Sequence, residues 1–261
     1  MIEICSWHQS DVSEARILRS SRQLHLNLAD PRVVLVFEQE GSMDAHRTID
    51  SRPSWTQASL LSLVRQEFGR RLDLTAPVTH RTVVVAVRCD AKSVADDVEF
   101  TGRVDRVMAT CREGDIDARV GIGALATAVR SLVSSARDGH DALRLGRVFQ
   151  PETRVHDIDL LRVHQALSVV PVEARERLSQ SLLRGLRTDS EWSKLRDTLI
   201  AWGDSGFSPP EAAKALHIHR NTLSYRFDKI SKILGRRVDD SGVSVAVYLA
   251  CILDSEDDAP Q

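Results

Sequence analysis

The residues whose types and spacing best suit a chemical task lie near the end of the chain, in the segment HIHRNTLSYRFDKISKILG, residues 217–235. Arginine and asparagine form paired hydrogen bonds with base edges, and arginine and lysine also bind phosphate. Residues 208–237 contain seven Lys or Arg and two acidic residues, a net charge of +5, whereas the whole chain carries −2. This concentration of positive charge indicates that the segment meets a polyanion.

The basic segment has the pattern of two short helices joined by a tight turn. Ser208 and Glu211 have the spacing of a capping box, and Pro209 suits the first helical position. His217 stands at the corner, where a left-handed backbone conformation is expected. The second helix is predicted over 219–234, and its apolar residues fall on one side at 100° per residue. Those residues are Leu223, Phe227, Ile230 and Leu234.

The opposite side of this second helix carries hydrogen-bonding and positive side chains, as expected for a helix that enters the DNA major groove. The residues predicted to read base edges are His219, Arg220, Asn221, Ser224 and Tyr225. The residues predicted to bind phosphates are Lys214, Thr222, Arg226, Lys229 and Lys232. Arg226 lies nearer the apolar stripe, so a contact within its own domain is the alternative for it. A solvated helix of an α-hairpin is the alternative for the whole segment.

The same stretch resembles the C-terminal helix-turn-helix of PucR/CdaR-type bacterial transcriptional regulators. Their pattern, L-x-[IV]-H-R-N-T-L-x-Y-R-[LF]-x-[KR]-I, is matched from Leu216 to Ile230, and SVAVYLACIL (244–253) resembles their closing helix. Upstream, the stretches RVGIG, LVSSARDGHDALRLGRVF and RVHDIDLL, within residues 119–161, resemble the α/β domain that precedes this module, a degenerate relative of the GGDEF nucleotide-cyclase fold. The resemblance is good over residues 110–260 and weak over 30–110. The resemblance implies a regulator that binds DNA.

The region upstream alternates between strand and helix patterns, which is typical of an α/β layer domain. Strands are predicted over 32–38, 82–89 and 118–123, with a short edge strand at 154–159. Helices are predicted over 11–28, 54–72, 94–113 and 127–149. The strand signal then stops, and further helices are predicted over 159–170, 172–186 and 189–204.

These elements predict an α/β or α+β fold followed by an all-helical C-terminal domain. The predicted segments are an N-terminal helical segment (1–30), a GGDEF-like domain (31–158), a helical linker (159–188), a helix-turn-helix domain (189–254) and an acidic tail (255–261). The GGDEF-like domain is expected to serve dimerisation or effector sensing, and the sequence does not separate these two roles.

Catalytic chemistry is not expected. The resemblance implies that an active cyclase would carry two glycines and acidic residues in the turn before its second strand, and APVTHRTVVV (76–85) has neither. Glu38 and Glu40 follow the first strand but cannot complete a Mg²⁺–triphosphate site without that turn. Gly121 and Gly123 could bind phosphate or form a tight strand-to-helix turn. We therefore predict no catalytic residues, no metal site and no cofactor.

The composition fits a globular protein, with 42% hydrophobic and 28% charged residues. The four cysteines are scattered and are expected to be buried thiols in a reducing compartment. No signal peptide or membrane span is apparent.

We expect a cytoplasmic, sequence-specific DNA-binding transcriptional regulator that is not an enzyme. Its expected partners are double-stranded DNA, a second copy of the chain in a homodimer and a small-molecule effector, with no membrane. The alternative is a signalling module that senses a metabolite or nucleotide and whose helical C-terminus docks a protein partner.

Overall fold

The computed structural model describes residues 28, 30–41, 59–69, 73–89 and 97–257, with side chains as far as residue 254. The contacts between residues divide the chain into two compact units, Met1–Gln165 and Ala166–Gln261. Apart from Leu28, the helix predicted over 11–28 lies outside the described residues, as does the end of the predicted acidic tail. The predicted segment boundaries stay a prediction.

The first unit is built on a five-stranded sheet of order β2-β3-β1-β4-β5. The strands are β1 (Arg32–Gln39), β2 (Leu74–Pro77), β3 (Thr82–Arg88), β4 (Ala118–Ile122) and β5 (Val155–Asp157). The central strand β1 is antiparallel to both β3 and β4, whereas β4 and β5 are parallel. The four predicted strands are confirmed. The sequence did not indicate β2, because it is a four-residue edge strand that ends in proline.

Helices cover both faces of this sheet. They are α1 (Leu60–Phe68), α2 (Val98–Glu113) and α3 (Val129–Phe149). Val33, Leu35 and Phe37 of β1 pack with α1 and α2, and Val34 and Val36 pack with α3. Because both faces of β1 are buried, its sequence is a continuous apolar run rather than an alternating one. The predicted α/β fold class of this region is confirmed.

Two glycines of the β4 segment allow α3 to approach the sheet closely. A Cβ atom at Gly121 would lie 1.9 Å from the carbonyl oxygen of Gly139, and one at Gly123 would lie 1.8 Å from that of Ser135. Helix packing against the strand therefore accounts for both glycines without a bound phosphate.

The chain then becomes helical, as predicted. A 3₁₀ turn (Ile158–Leu161) and α4 (Arg162–Ser168) follow β5. The second unit contains α5 (Val172–Arg187), α6 (Trp192–Asp204), α7 (Pro209–Ala215), α8 (Arg220–Leu234) and α9 (Ser241–Asp257). All five helices contribute to one apolar core, and Leu183 and Leu186 of α5 are completely buried in it. Most of the segment predicted as a linker is therefore α5, whose side chains help to form the core of the second unit.

Cys89, Cys111 and Cys251 are buried, as predicted, and none of them forms a disulfide within the described residues; Cys5 lies outside those residues. Burial raises the pKa of the Cys251 thiol to about 12. No helix in the described part of the chain is long and apolar enough to cross a lipid bilayer.

Candidate nucleic-acid interface

The candidate interface starts at α7 and the turn that follows it. Ser208 is the N-cap residue of α7, but its side chain makes no capping hydrogen bond, so the predicted capping box is wrong. Pro209 begins the helix instead, because its fixed φ angle suits the first helical position. At the corner, His217 has a φ of 52°, and the predicted left-handed conformation is confirmed.

Local capping fixes where α8 begins and ends. His219 is its N-cap residue, and the Nδ1 atom of His219 accepts a hydrogen bond of 3.2 Å from the backbone N–H of Asn221. An accepting Nδ1 needs its lone pair, so the neutral ring carries its proton on Nε2. Gly235, with a φ of 69°, ends the helix in the left-handed conformation. The helix predicted over 219–234 is confirmed.

The apolar side of α8 holds the helix against α6 and α7. Leu223 and Ile230 are buried, and Phe227 and Leu234 are half-buried against the same core. The ring centroids of Phe227 and Trp202 are 4.7 Å apart. The predicted apolar stripe is therefore confirmed, and it fixes which side of α8 faces away from the core.

The residues on that outer side form a continuous polar surface, which we call the reading face. It consists of Arg220, Asn221, Ser224, Tyr225, Asp228 and Lys232, all of them exposed. Tyr225 keeps 60% of its surface accessible. The five residues predicted to read bases are thus brought together: four lie on this face, and the exposed His219 caps the helix beside it. Whether they contact bases stays a prediction.

Lys229, predicted to bind phosphate, makes two ion pairs within its own unit. Its Nζ atom lies 2.7 Å from Oδ1 of Asp189 and 2.7 Å from Oε2 of Glu191, both in the segment between α5 and α6. Hydrogen bonds to these carboxylates raise the pKa of Lys229, and the same bonds lower the pKa of Asp189 and Glu191. The geometry favours a bridging role for Lys229, which its helical position alone did not indicate.

Arg226 also turns inward. Its Nη1 atom donates a hydrogen bond of 2.9 Å to Oγ1 of Thr198, which is completely buried in α6. A longer contact of 3.4 Å joins the same atom to the carbonyl oxygen of Lys194. The alternative considered for Arg226, a contact within its own domain, is therefore what the structure shows.

The positive charge available to a ligand is smaller than the count along the segment implies. Arg237 is ion-paired with Asp239, and Lys214, which is 83% exposed, lies 3.9 Å from Glu211. Within the described residues, Arg220, Lys232 and Arg236 form no ion pair. Arg220 begins α8, and the other two lie at its far end, so unpaired cations lie near both ends of the reading face.

The described part of the first unit offers no comparable site. Arg147 lies 3.1 Å from Glu38 and 3.0 Å from Glu40, and Arg119 lies 3.2 Å from Glu40. Both carboxylates at the end of β1, Glu38 in the strand and Glu40 directly after it, are thus already neutralised by arginine. Within the described ranges, no group of three or more His, Cys, Asp or Glu residues is placed to hold a metal ion.

Profiles of known protein families match both units of the chain. The sequence profile of the GGDEF-like domain matches residues 9–145, and that of the PucR C-terminal helix-turn-helix domain matches residues 195–253. The regulator of polyketide synthase expression from Bifidobacterium adolescentis, a crystal structure, aligns over 98% of both chains with a TM-score of 0.40 and 16% identity.

Three curated relatives are named as regulators. The carbohydrate diacid regulator of Escherichia coli (strain K12) is 27% identical over 252 residues, which are 95% of this chain and 63% of that protein. The purine catabolism regulatory protein of Bacillus subtilis (strain 168) is 28% identical over 43% of this chain and 22% of that protein. The transcriptional activator PmfR of Paenarthrobacter nicotinovorans is 41% identical over 30% of this chain and 17% of that protein.

The chain thus spans less than two thirds of the length of each of these relatives. Its first region carries the GGDEF-like domain, and its second carries the PucR-type helix-turn-helix with the reading face described above. The chain belongs to the PucR/CdaR-type family of regulators.

Proposed function

We propose that this chain is a sequence-specific DNA-binding transcriptional regulator and that α8 enters the major groove of its operator. The proposal rests on the properties of the reading face. It is polar and exposed, and it lies opposite a side that is firmly packed in the core. A helix held in this way can present fixed donors and acceptors to base edges, as the second helix of a helix-turn-helix does.

Base readout is assigned to the first turns of α8. Arg220 suits the O6 and N7 atoms of guanine, and Asn221 suits the N6 and N7 atoms of adenine, each by two hydrogen bonds. Ser224 and Tyr225 follow one turn later, and the Nε2–H of His219 supplies a further donor beside them. These residues are the proposed specificity determinants.

Phosphate contacts are assigned to exposed side chains at the edges of the reading face. Lys214, Thr222 and Lys232 are exposed, and Arg236 joins them because it is exposed and, like Lys232, forms no ion pair among the described residues. Each neutralised phosphate releases condensed counterions and adds affinity that does not depend on sequence. Lys229 is left out of this set because its ammonium group already meets two carboxylates.

We also propose that the protein is not an enzyme. The relatives are named regulators, which supports this, and so does the pairing of Glu38 and Glu40 with arginines. A nucleoside triphosphate would need free carboxylates and Mg²⁺ at that position. The expected result is no consumption of ATP or GTP by the purified chain in the presence of Mg²⁺.

Regulation of one site in a genome requires two coupled copies. A single helix-turn-helix contacts few base pairs, whereas about 4–10 kcal/mol of discrimination is needed against competing sites. We propose a homodimer that presents two copies of α8 about 34 Å apart, with its self-association surface in residues 30–158. A small-molecule effector would act on the same region, and binding to DNA implies a cytoplasmic protein.

Sedimentation of the full chain, with amide hydrogen exchange at low and high protein concentration, tests the homodimer. We expect dimers and exchange that slows with concentration within residues 30–158. A chain that stays monomeric while bound to its operator would contradict the proposal.

Selection of bound duplexes from random DNA tests the function. The full chain should enrich one sequence pattern, and Asn221→Ala should relax the preference at one or two positions of each half-site by about 1–3 kcal/mol. A folded Asn221→Ala variant that selects an unchanged pattern would contradict the assignment of base readout to the start of α8.

A further inference from the structure

Asp228 lies in the middle of the reading face, where a negative charge is unexpected on a surface that meets a polyanion. Its side chain is exposed. It follows Asn221 by seven residues, which is nearly two helical turns, so the two side chains project within about 20° of each other around the helix. Within the described residues, Asp228 forms no hydrogen bond or ion pair, even with Lys232 one turn further on.

The geometry of a helix brings this carboxylate toward the bases rather than toward the far end of α8. Side chains on a helix tilt toward its N-terminus, so Asp228 extends over the turn that holds Ser224 and Tyr225. Asn221 and Asp228 are about 10 Å apart along the helix axis at 1.5 Å per residue. This distance equals about three base-pair steps of 3.4 Å.

An ionised carboxylate can only accept hydrogen bonds. The only donors in the major groove are the N4 amino group of cytosine and the N6 amino group of adenine. Adenine also presents its N7 acceptor beside that amino group, and this acceptor repels a carboxylate, whereas the major-groove edge of cytosine has no acceptor. Guanine and thymine present acceptors and no donor there, so a carboxylate disfavours them.

We propose that Asp228 is a specificity-determining residue that accepts a hydrogen bond from the N4 amino group of a cytosine, about three base pairs from the base read by Asn221. The inference rests on the proposed function, because it requires the reading face to lie in the major groove. The hydrogen bond to cytosine gives a reason for a carboxylate on this surface, although phosphates repel a carboxylate.

Selection from random duplexes by the full chain and by the Asp228→Ala and Asp228→Asn variants tests this inference. The wild type should enrich a cytosine at one position of each half-site, and Asp228→Ala should lose that preference by about tenfold while keeping the preferences set by Asn221. Asp228→Asn should move the preference toward adenine, because asparagine can both donate and accept. Asp197→Asn, at an exposed carboxylate of α6, is the control for the lost charge and should select the wild-type pattern.

A modified base gives an independent readout. N4-methylcytosine can keep its Watson–Crick pair while a methyl group replaces the amino hydrogen that faces the major groove. This modification at the selected cytosine should weaken wild-type binding by about tenfold and leave Asp228→Ala unaffected.

Two results would overturn the inference. In the first, Asp228→Ala selects the wild-type pattern and binds every duplex more tightly by one common factor, as a merely repulsive carboxylate would predict. In the second, the methylated base weakens the wild type and the variant equally. Failure of the proposed function is distinguishable, because the wild type would then enrich no pattern at all, and this inference would fall with it.

Discussion

The ammonium group of Lys229 in α8 lies 2.7 Å from a carboxylate oxygen of Asp189 in the segment before α6. Glu191 meets the same ammonium group at 2.7 Å, and the side chain of Lys229 is only 22% exposed. This bridge and the Arg226–Thr198 hydrogen bond tie the candidate recognition helix to the preceding helices. Two basic side chains therefore help to set the position of the reading face.

The first prediction separates bridging from phosphate binding by comparing two lysines of α8. Lys229→Met should lower the urea midpoint of the second unit and hardly change the slope of log K against log salt. Lys232→Met, at an exposed lysine without an ion pair among the described residues, should keep the midpoint and reduce that slope by about 0.9. Tryptophan fluorescence, to which the buried Trp202 contributes, follows unfolding, and titrations of duplex DNA at several salt concentrations give the slope.

The opposite pattern, in which Lys229→Met reduces the slope and leaves the midpoint unchanged, would show that the ammonium group leaves its carboxylates for a phosphate. The salt dependence of the midpoint is a further check, because salt screens the exposed part of an ion pair and weakens it.

The second prediction concerns the corner between α7 and α8. His217 has a φ of 52°. This left-handed backbone conformation is least favourable in free energy for residues with a branched Cβ. His217→Gly should keep or raise the stability of the second unit by up to about 1 kcal/mol, and His217→Asn should change it little. His217→Val should lower it by about 1–2 kcal/mol. Equal urea midpoints for the glycine and valine variants would contradict the strain assigned to this turn.

The third prediction is a pH dependence of the first unit. His156 is completely buried, and burial, followed by the charges of Arg119, Arg147 and Arg154 and opposed by that of Glu40, lowers its pKa to about 4. The unfolded chain binds this proton with a pKa of about 6.5, so the unfolded state holds more protons between those values. The free energy of unfolding therefore has its full contribution from neutral His156 above about pH 6.5 and loses it as the pH decreases toward 4.

The contribution of His156 to this loss should be on the order of 1–3 kcal/mol, measured as the free energy of opening from amide exchange in β1 and β4. His156→Gln should remove most of the slope over this range. His80→Gln, which replaces an exposed histidine of the same unit, is the matched control and should keep the slope. A slope that survives in His156→Gln would assign the pH dependence to other groups.

Local sequence patterns predicted most of the architecture, because strands, turns and helices depend largely on residues that are close in sequence. The run RVVLVFE at 32–38 indicated a strand, and the corner at His217 and the stripe that includes Leu223 and Ile230 indicated the helix-turn-helix. Contacts between distant segments were beyond this reasoning. The pairing of Lys229 with Asp189 spans 40 residues, so a helical wheel placed that lysine among the phosphate-binding side chains.

Asp228 illustrates a different limit. At 100° per residue, Asp228 falls on the side of α8 opposite the apolar stripe, but only the structure shows that its carboxylate forms no ion pair within the described residues, even with Lys232 four residues away. Similarly, the sequence left phosphate binding and a tight turn as alternatives for Gly121 and Gly123, whereas their close approach to the backbone of α3 depends on the packing of two distant segments.

The most direct test of the central claim is the affinity of the full chain for its selected duplex and for a scrambled duplex of the same length and composition at physiological salt. Fluorescence anisotropy of labelled DNA measures both affinities. The proposed function predicts binding to the selected duplex at least about 10³-fold tighter than to the scrambled one, with log K falling linearly as log salt rises. Equal affinity for the two duplexes, or no binding to either, would contradict the assignment of α8 as a sequence-reading helix.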